Sequence, residues 1–186
     1  MDLTLVRPDL RHVDSYADAL RRGFDTALIP PATLAEELAT AQSDPARLLA
    51  LLEEPDGVAR PVRLPDGSDV PRLPGLHRWL WDGEYAGTVS LRWVPDGGPL
   101  PDYCRGHIGY AVVPWRRRRG YATRGLALML PVAAAQGLAQ VVVETDPDNV
   151  ASQRVIEANG GRLVGELALP PSYGGARTRR YVVATG

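Results

Sequence analysis

The polar and apolar positions of the chain alternate between strand and helix periods. Leu3 to Val6 has strand spacing, and Pro8 then opens a stretch in which Leu10, Val13, Ala17 and Leu20 share one helical face up to Gly23. Thr33-x-x-Glu36 predicts a capping box for a second helix, and Asp44-Pro45 predicts the start of a third short one reaching about Glu53. Residues 55 to 75 are crowded with Pro, Asp and Gly, which predicts an irregular hairpin around Asp66-Gly67 or a mobile flap rather than a central strand. Leu76 to Trp81 and Tyr85 to Trp93 flank Asp82-Gly83, a two-residue hairpin signal.

The second half is more regular. Gly106 to Val113 reads as a strand stopped by Pro114, followed by a helix from about Arg117 to Gln136 with Ala122, Leu126, Met129, Leu130 and Ala133 on its apolar stripe. Pro131 lies inside that helix and predicts a kink or an early end. Gln140 to Glu144 is a valine run of the kind buried on both faces. Asn149 to Asn159 predicts a helix closed by Gly160-Gly161. Arg162 to Leu167 and Arg179 to Val183 supply the last strands, with a long loop from Leu169 to Arg177. Helices and strands interleave without a repeat or linker, so the expected architecture is mixed α/β, with residues 1–186 as one domain.

Composition narrows the chemistry. A net charge of −1 argues against a nucleic-acid partner. All 21 basic residues are arginine, so no lysine is present to form a Schiff base. One cysteine, Cys104, permits neither an internal disulfide nor a cysteine metal cluster, and His12, His77 and His107 are far apart in sequence, so no metal is expected. No apolar stretch is long enough to span a membrane and no signal pattern opens the chain, which makes the cytoplasm the expected location.

Candidate chemistry concentrates in HIGYAVVPWRRRRGYATRG, residues 107 to 125. A strand that feeds a glycine-bearing turn and then a helix start is a place to hold phosphate: first-turn N–H groups lack helical partners, and Gly120 lets an anion approach the backbone. Arg117-x-x-Gly120-x-Ala122 fits the Q/R-x-x-G-x-G/A signature, and Asp146-x-x-Asn149-x-x-Ser152 with Arg154-Val-Ile-Glu-Ala-Asn-Gly-Gly161 follows in matching order and distance. Over roughly residues 106 to 165 the chain resembles the GNAT acetyltransferase superfamily, most closely a bacterial subgroup of acetyltransferases with a GHIGY strand and a basic GYAT turn.

The resemblance implies a mostly antiparallel central sheet with splayed central strands and helices on both faces. It also implies direct transfer of an acetyl group from acetyl-CoA to a primary amine of a small molecule or peptide. Carried over residue by residue, it places pantetheine against Val112 and Val113, and diphosphate on the amides of Arg117, Arg118, Arg119, Gly120, Tyr121 and Ala122 with the Thr123 hydroxyl. Asn149 and Ser152 lie near the pantetheine arm. The Asp25 to Ala32 loop would border the acceptor.

Simpler readings stand beside these: a run of arginines is often a solvated face, Asn149 is a natural N-cap, and Ser152 an ordinary first-turn residue. The usual acid tyrosine, seven residues after the Asn, is replaced by Ile156. His107 and Glu144 are candidate bases, and Tyr173 a candidate replacement for the missing hydroxyl. A non-catalytic CoA-binding sensor and an enzyme using a larger acyl-CoA remain alternatives. Trp79, Trp81 and Trp93 are candidates for either core or the face of a homodimer.

Overall fold

The computed structural model describes residues 2–24, 31–54 and 61–186. Strand β1 (Thr4–Val6) leads to α1 (Leu10–Arg21), α2 (Pro31–Ser43) and α3 (Pro45–Leu52), then to β2 (Glu53–Glu54), β3 (Val62–Arg63) and β4 (Asp69–Val70). The long hairpin β5 (Gly75–Trp81) and β6 (Tyr85–Arg92) precedes β7 (Ile108–Val112), α4 (Tyr121–Ala135), β8 (Gln140–Thr145), α5 (Val150–Ala158), β9 (Arg162–Ala168) and β10 (Arg177–Ala184).

The central sheet is parted into two pieces. One runs β1-β5-β6-β7, with β2 on the same edge of β5 as β1, and the other runs β8-β10-β9. Every ladder within them is antiparallel. Two cores cover opposite faces. Leu126, Met129 and Ala133 of α4 and Ile156 of α5 pack with Leu80, Val89, Ile108, Val141 and Val143. Val13, Ala17 and Leu20 of α1, with Ala41 of α2 and Leu48 of α3, pack with Trp79, Tyr85 and Val113. This is the mixed α/β arrangement with splayed strands and helices on both faces that the family resemblance implied.

Caps explain where most helices start. Asp9 accepts from the Arg11 amide at 2.9 Å, and Asp44 accepts from the Arg47 amide at 3.0 Å with Pro45 in the first turn. Four expectations need correction. Helix α2 begins at Pro31, so Thr33 lies inside it instead of capping it. Helix α4 starts at Tyr121 and not Arg117, because Pro114 to Arg116 form a 3-10 turn, and it passes through Pro131 to Ala135. The β5–β6 loop has three residues, since Trp81 pairs with Tyr85 after a register shift at Leu80/Trp81. Finally, β8 alternates: Val141 and Val143 are buried in the α4 core, while Val142 on the other face is only partly covered.

The Asp66-Gly67 hairpin forms as expected, with β3 paired to β4. Of the hairpin tryptophans, Trp79 lies in the core, while Trp81 and Trp93 are partly buried and packed against it. Trp79 is buried and stacks on Tyr16 at 4.8 Å, Trp81 meets His12 at 4.3 Å, and Trp93 packs against the α4 core. The exposed large apolar residues include Leu163, Val164 and Leu167, all on the edge strand β9.

Candidate active site

The parting between β7 and β8 begins at a seam of two residues. Gly106 bridges Val143, and at φ 82° an added Cβ there would sit 2.7 Å from the Val142 carbonyl oxygen, so only glycine fits both the torsion and the approach. Next, the His107 N–H donates to the Val142 carbonyl at 2.7 Å, and the Val142 N–H donates to His107 Nδ1 at 2.9 Å. From Ile108 onward β7 pairs only with β6 among the described residues.

Strand parity decides which backbone groups face the gap. Arg92 N–H donates to the His107 carbonyl at 2.9 Å and Val113 N–H to the Ala86 carbonyl at 3.0 Å, so odd positions of β7 point at β6. The N–H and C=O groups of Ile108, Tyr110 and Val112 therefore face the parting. Val113, expected to hold pantetheine through its amide, has that amide on β6 and its side chain buried in the α1 core. Val112 faces the gap, where its carbonyl accepts Arg117 Nε at 3.1 Å.

Beyond Val113 the chain builds a concave backbone. Arg118 at φ 62° and Gly120 at φ 75° both lie in the left-handed region, the torsion pattern that turns successive N–H groups toward one point. Around Gly120 an added Cβ meets nothing within 4 Å, so glycine serves the torsion here and leaves the approach open. Arg124 makes the first helical bond, to the Gly120 carbonyl at 2.9 Å, so the amides of Tyr121, Ala122 and Thr123 precede the α4 ladder. The residues present fit a diphosphate: convergent N–H groups, a helix N-terminus, and the exposed side chains of Arg117, Arg118 and Arg119. Arg116 is committed elsewhere, to Glu84 at 2.9 Å and Asp82 at 3.4 Å, and the Tyr121 hydroxyl donates to Asp82 at 2.6 Å. Those bonds tie the turn to the β5–β6 loop. Asn159, which the motif reading did not single out, donates to the Thr123 carbonyl at 3.1 Å and locks the α5 end against the α4 start.

Helix α5 forms the opposite wall. Asn149 Oδ1 caps it by accepting the Ser152 N–H at 3.0 Å, the ordinary N-cap bond. Tyr110 shares its face of β7 with Ile108 and Val112, and its hydroxyl reaches Ser152 Oγ at 2.7 Å, spanning the parting. Burial pushes the Tyr110 hydroxyl up to about 12, so it keeps its proton at neutral pH. The motif reading did not single out the Tyr110 side chain. Period-two alternation from Ile108 was the signal that could have placed its ring toward α5. Ile156 is fully buried in the α4 core and brings no polar group to the gap.

The three residues expected to do acid–base work lie in different settings. An amide N–H can only donate, so His107 Nδ1 must be the unprotonated acceptor of the Val142 bond; burial, then Arg92, lowers its pKa to about 4. The ring is a clasp across the seam, with the lone pair that a base would use already taken. Tyr173 donates its hydroxyl to the Tyr103 carbonyl at 2.8 Å, and burial raises its pKa. Glu144 is not the solvent-facing strand end its position suggested: its side chain is 1% exposed, with Oε1 2.7 Å from Arg180 Nη2. Its Oε2 is buried without a hydrogen-bond partner. It lines a cleft of about 440 Å³ with Asp102, Leu169, Pro170, Thr178 and Arg180. Among the described residues no group of His, Cys, Asp and Glu could hold a metal, and no helix is long and apolar enough to cross a membrane.

Three comparisons complete the picture. The family model described as "Acetyltransferase (GNAT) domain" matches residues 3–162. No curated protein matches the chain in sequence. Among solved structures, the chain is similar to Mycobacterium smegmatis RimJ in complex with CoA-disulfide, with 18% identity, 98% of this chain and 81% of that chain covered, and a TM-score of 0.67. It is also similar to the ribosomal L7/L12 alpha-N-protein acetyltransferase RimL in complex with coenzyme A, with 16% identity, coverage of 98% and 93%, and a TM-score of 0.64. A third likeness is to the microcin C7 self-immunity acetyltransferase MccE with acetyl-CoA and AMP, with 13% identity, coverage of 98% and 92%, and a TM-score of 0.60. At these identities the structures speak for the fold, and the family model, spanning most of the chain, speaks for kinship. With a parted sheet, a left-handed turn at a helix start and that family match together, the chain belongs to the GNAT acetyltransferase family, the acetyl-CoA-dependent N-acetyltransferases.

Proposed function

We propose that residues 1–186 act as one cytoplasmic acyltransferase domain that moves an acetyl group from acetyl-CoA directly to a primary amine of a small molecule or peptide. The observation that carries this reading is the unpaired edge of β7, whose Tyr110 and Val112 backbone groups lead straight into the anion-holding turn at Arg118 to Thr123. Diphosphate on the turn lays the pantetheine amides along that edge as an added strand, with the Val112 carbonyl released from Arg117. A backbone N–H of Tyr110 or Val112 then polarises the thioester carbonyl. RimL is an alpha-N-protein acetyltransferase and MccE a self-immunity acetyltransferase, which supports keeping both peptide and small-molecule amines as acceptors.

Transfer forms a C–N bond, breaks the C–S bond, and moves one proton from the amine to the departing sulfur. Glu144, with one carboxylate oxygen lacking a partner, takes the amine proton. The Tyr110–Ser152 hydroxyl pair supplies the proton to sulfur, in place of the tyrosine that Ile156 replaces. Asn149 positions Ser152 through the cap.

The sensor reading draws its support from Ile156, while the Tyr110–Ser152 hydroxyl pair supports the transferase reading. Calorimetric titration with acetyl-CoA, followed by a free-thiol assay over an amine panel, tests the proposal. Saturable binding and amine-dependent thiol release are expected; an absence of acetyl-CoA binding sinks it, and binding without transfer to any amine returns the sensor. Should two copies pair, we propose that they do so through β9 and not the tryptophan hairpin, since antiparallel self-pairing about Val164 sets Arg162 opposite the Glu166 of a second copy.

A further inference from the structure

Arg92 ends β6 on the face away from α4 and α5, beside the seam. Its N–H bond to the His107 carbonyl sets it opposite that residue. The guanidinium folds back along its own strand: Nη2 donates to Ser90 Oγ at 3.2 Å, and Ser90 Oγ donates to the Gly109 carbonyl at 3.3 Å. It therefore stands over the β6–β7 ladder at the level of Gly109, one residue before Tyr110. The β7 residues that share this face are small, Gly109 and Ala111. Glu144 is on the same face, because its neighbours Val141 and Val143 are the ones that enter the α4 core.

Charge balance sets Arg92 apart. Arg105 is paired with Asp146, Arg180 with Glu144 and Arg78 with Glu53. Arg92 has no carboxylate among the described residues; its side-chain partners are the Ser90 hydroxyl and the Cys104 thiol. Its charge bears on His77, Cys104, His107 and Tyr173, which come from three separate segments, so the guanidinium lies where those segments converge. This half-buried cation lacks the carboxylate partner that Arg78, Arg105 and Arg180 have.

We propose that Arg92 is the acceptor's anchor: it binds an anionic oxygen group, carboxylate or phosphate, carried by the same molecule whose amine is directed toward Glu144. The acceptor class narrows accordingly, from amines in general to amines bearing an anion, with Arg92 setting specificity and making no contact with the reacting atoms. This rests on the transferase reading above.

The test compares matched amines that differ only in the anion: serine against serinamide, and phosphoethanolamine against ethanolamine. Each is titrated calorimetrically into the full chain with CoA present, for the native protein, Arg92→Gln and Arg92→Lys. Acetyl-CoA titration and a thermal melt run alongside. In the native protein the anionic member of at least one pair is expected to bind about tenfold to a hundredfold more tightly than its neutral partner, the range for a charge-assisted pair. That ratio falls to near one in Arg92→Gln and is partly restored in Arg92→Lys, which returns the charge without the planar fork. The pair that discriminates tells carboxylate from phosphate.

Equal binding of both members in the native protein, no binding of any, or an unchanged ratio in Arg92→Gln overturns the proposal. Should Arg92→Gln melt too low to titrate, the native ratio and the Arg92→Lys ratio decide. Failure of acetyl-CoA to bind would sink the transferase reading, while an Arg92-dependent preference would still stand.

Discussion

The two sides of the parting are made of different materials. On the β7 side the anion turn is built from backbone: left-handed torsions at Arg118 and Gly120, first-turn amides of α4, and the free edge of Tyr110 and Val112. On the β8 side the cleft is built from side chains drawn from remote segments: Glu144, Arg180, Asp102 and the loop after β9. Backbone sites tolerate changes of side chain as long as the torsions survive, whereas side-chain sites are lost by a single truncation. The first kind suits a donor common to a family, the second an acceptor peculiar to one member.

The sharpest way to break that contrast is at Gly120. Aspartate tolerates the left-handed region better than most residues, so Gly120→Asp keeps the turn but sets a negative charge against a diphosphate. Acetyl-CoA affinity is expected to fall by about a hundredfold or more, while acetyl-pantetheine, which lacks the diphosphate, binds within about threefold of native. Calorimetry with both ligands checks it, and parallel losses for the two would mean that the turn does not hold the diphosphate. Arg118→Ala and Arg119→Ala should each cost less than Gly120→Asp, since exposed charges contribute modestly.

On the other side, Glu144→Gln keeps the shape and removes the carboxylate. A loss of about a hundredfold in kcat is expected, the lower range for general base catalysis, with acetyl-CoA affinity unchanged. Steady-state rates and donor titration separate the two quantities. Tyr110→Phe should show a smaller loss, about tenfold in kcat, and Ser152→Ala a similar one, because either hydroxyl can pass a proton alone. The double variant should therefore lose more than the two singles combined; a double no worse than the singles would mean that neither hydroxyl works alone and the two form one relay. Unchanged kcat in Tyr110→Phe would remove the pair from the chemistry.

This division also explains what could be read in advance. The turn at Gly120, the cap at Asn149 and the glycine stop after Asn159 depend on local torsions and neighbours three or four residues apart, and such spacing is written along the chain. The parted sheet was carried by the family resemblance. What stayed hidden depends on partners far away in sequence. Glu144 looked like a strand end because Arg180, which covers it, is 36 residues distant. His107 looked like a base because its bond to the Val142 amide, 35 residues on, cannot be seen locally. Val113 failed for a subtler reason: strand parity fixes which of two adjacent valines faces the gap, and the register with β6 sets that parity.

The seam between the two sides offers the mildest test, through pH. Burial lowers His77 and His107 to about 4 each, against about 6.5 in an unfolded chain. Between those values the unfolded state binds more protons than the folded one, so the stabilisation is complete above pH 6.5 and is lost progressively as pH falls toward 4. His77 and His107, both half-buried, should each account for up to about 1 kcal/mol lost between pH 6.5 and 5.5, reduced by solvent screening; His77 Nδ1 lies 3.0 Å from the Leu52 carbonyl. Urea unfolding at stepped pH measures the slope, and His107→Ala should reduce it while lowering stability at pH 7. Because the histidine lone pair is spent on Val142, the kcat/KM profile of folded enzyme should show no step at pH 6.5 that vanishes in His107→Ala. Such a step would make His107 a base after all and move the seam from scaffold to chemistry.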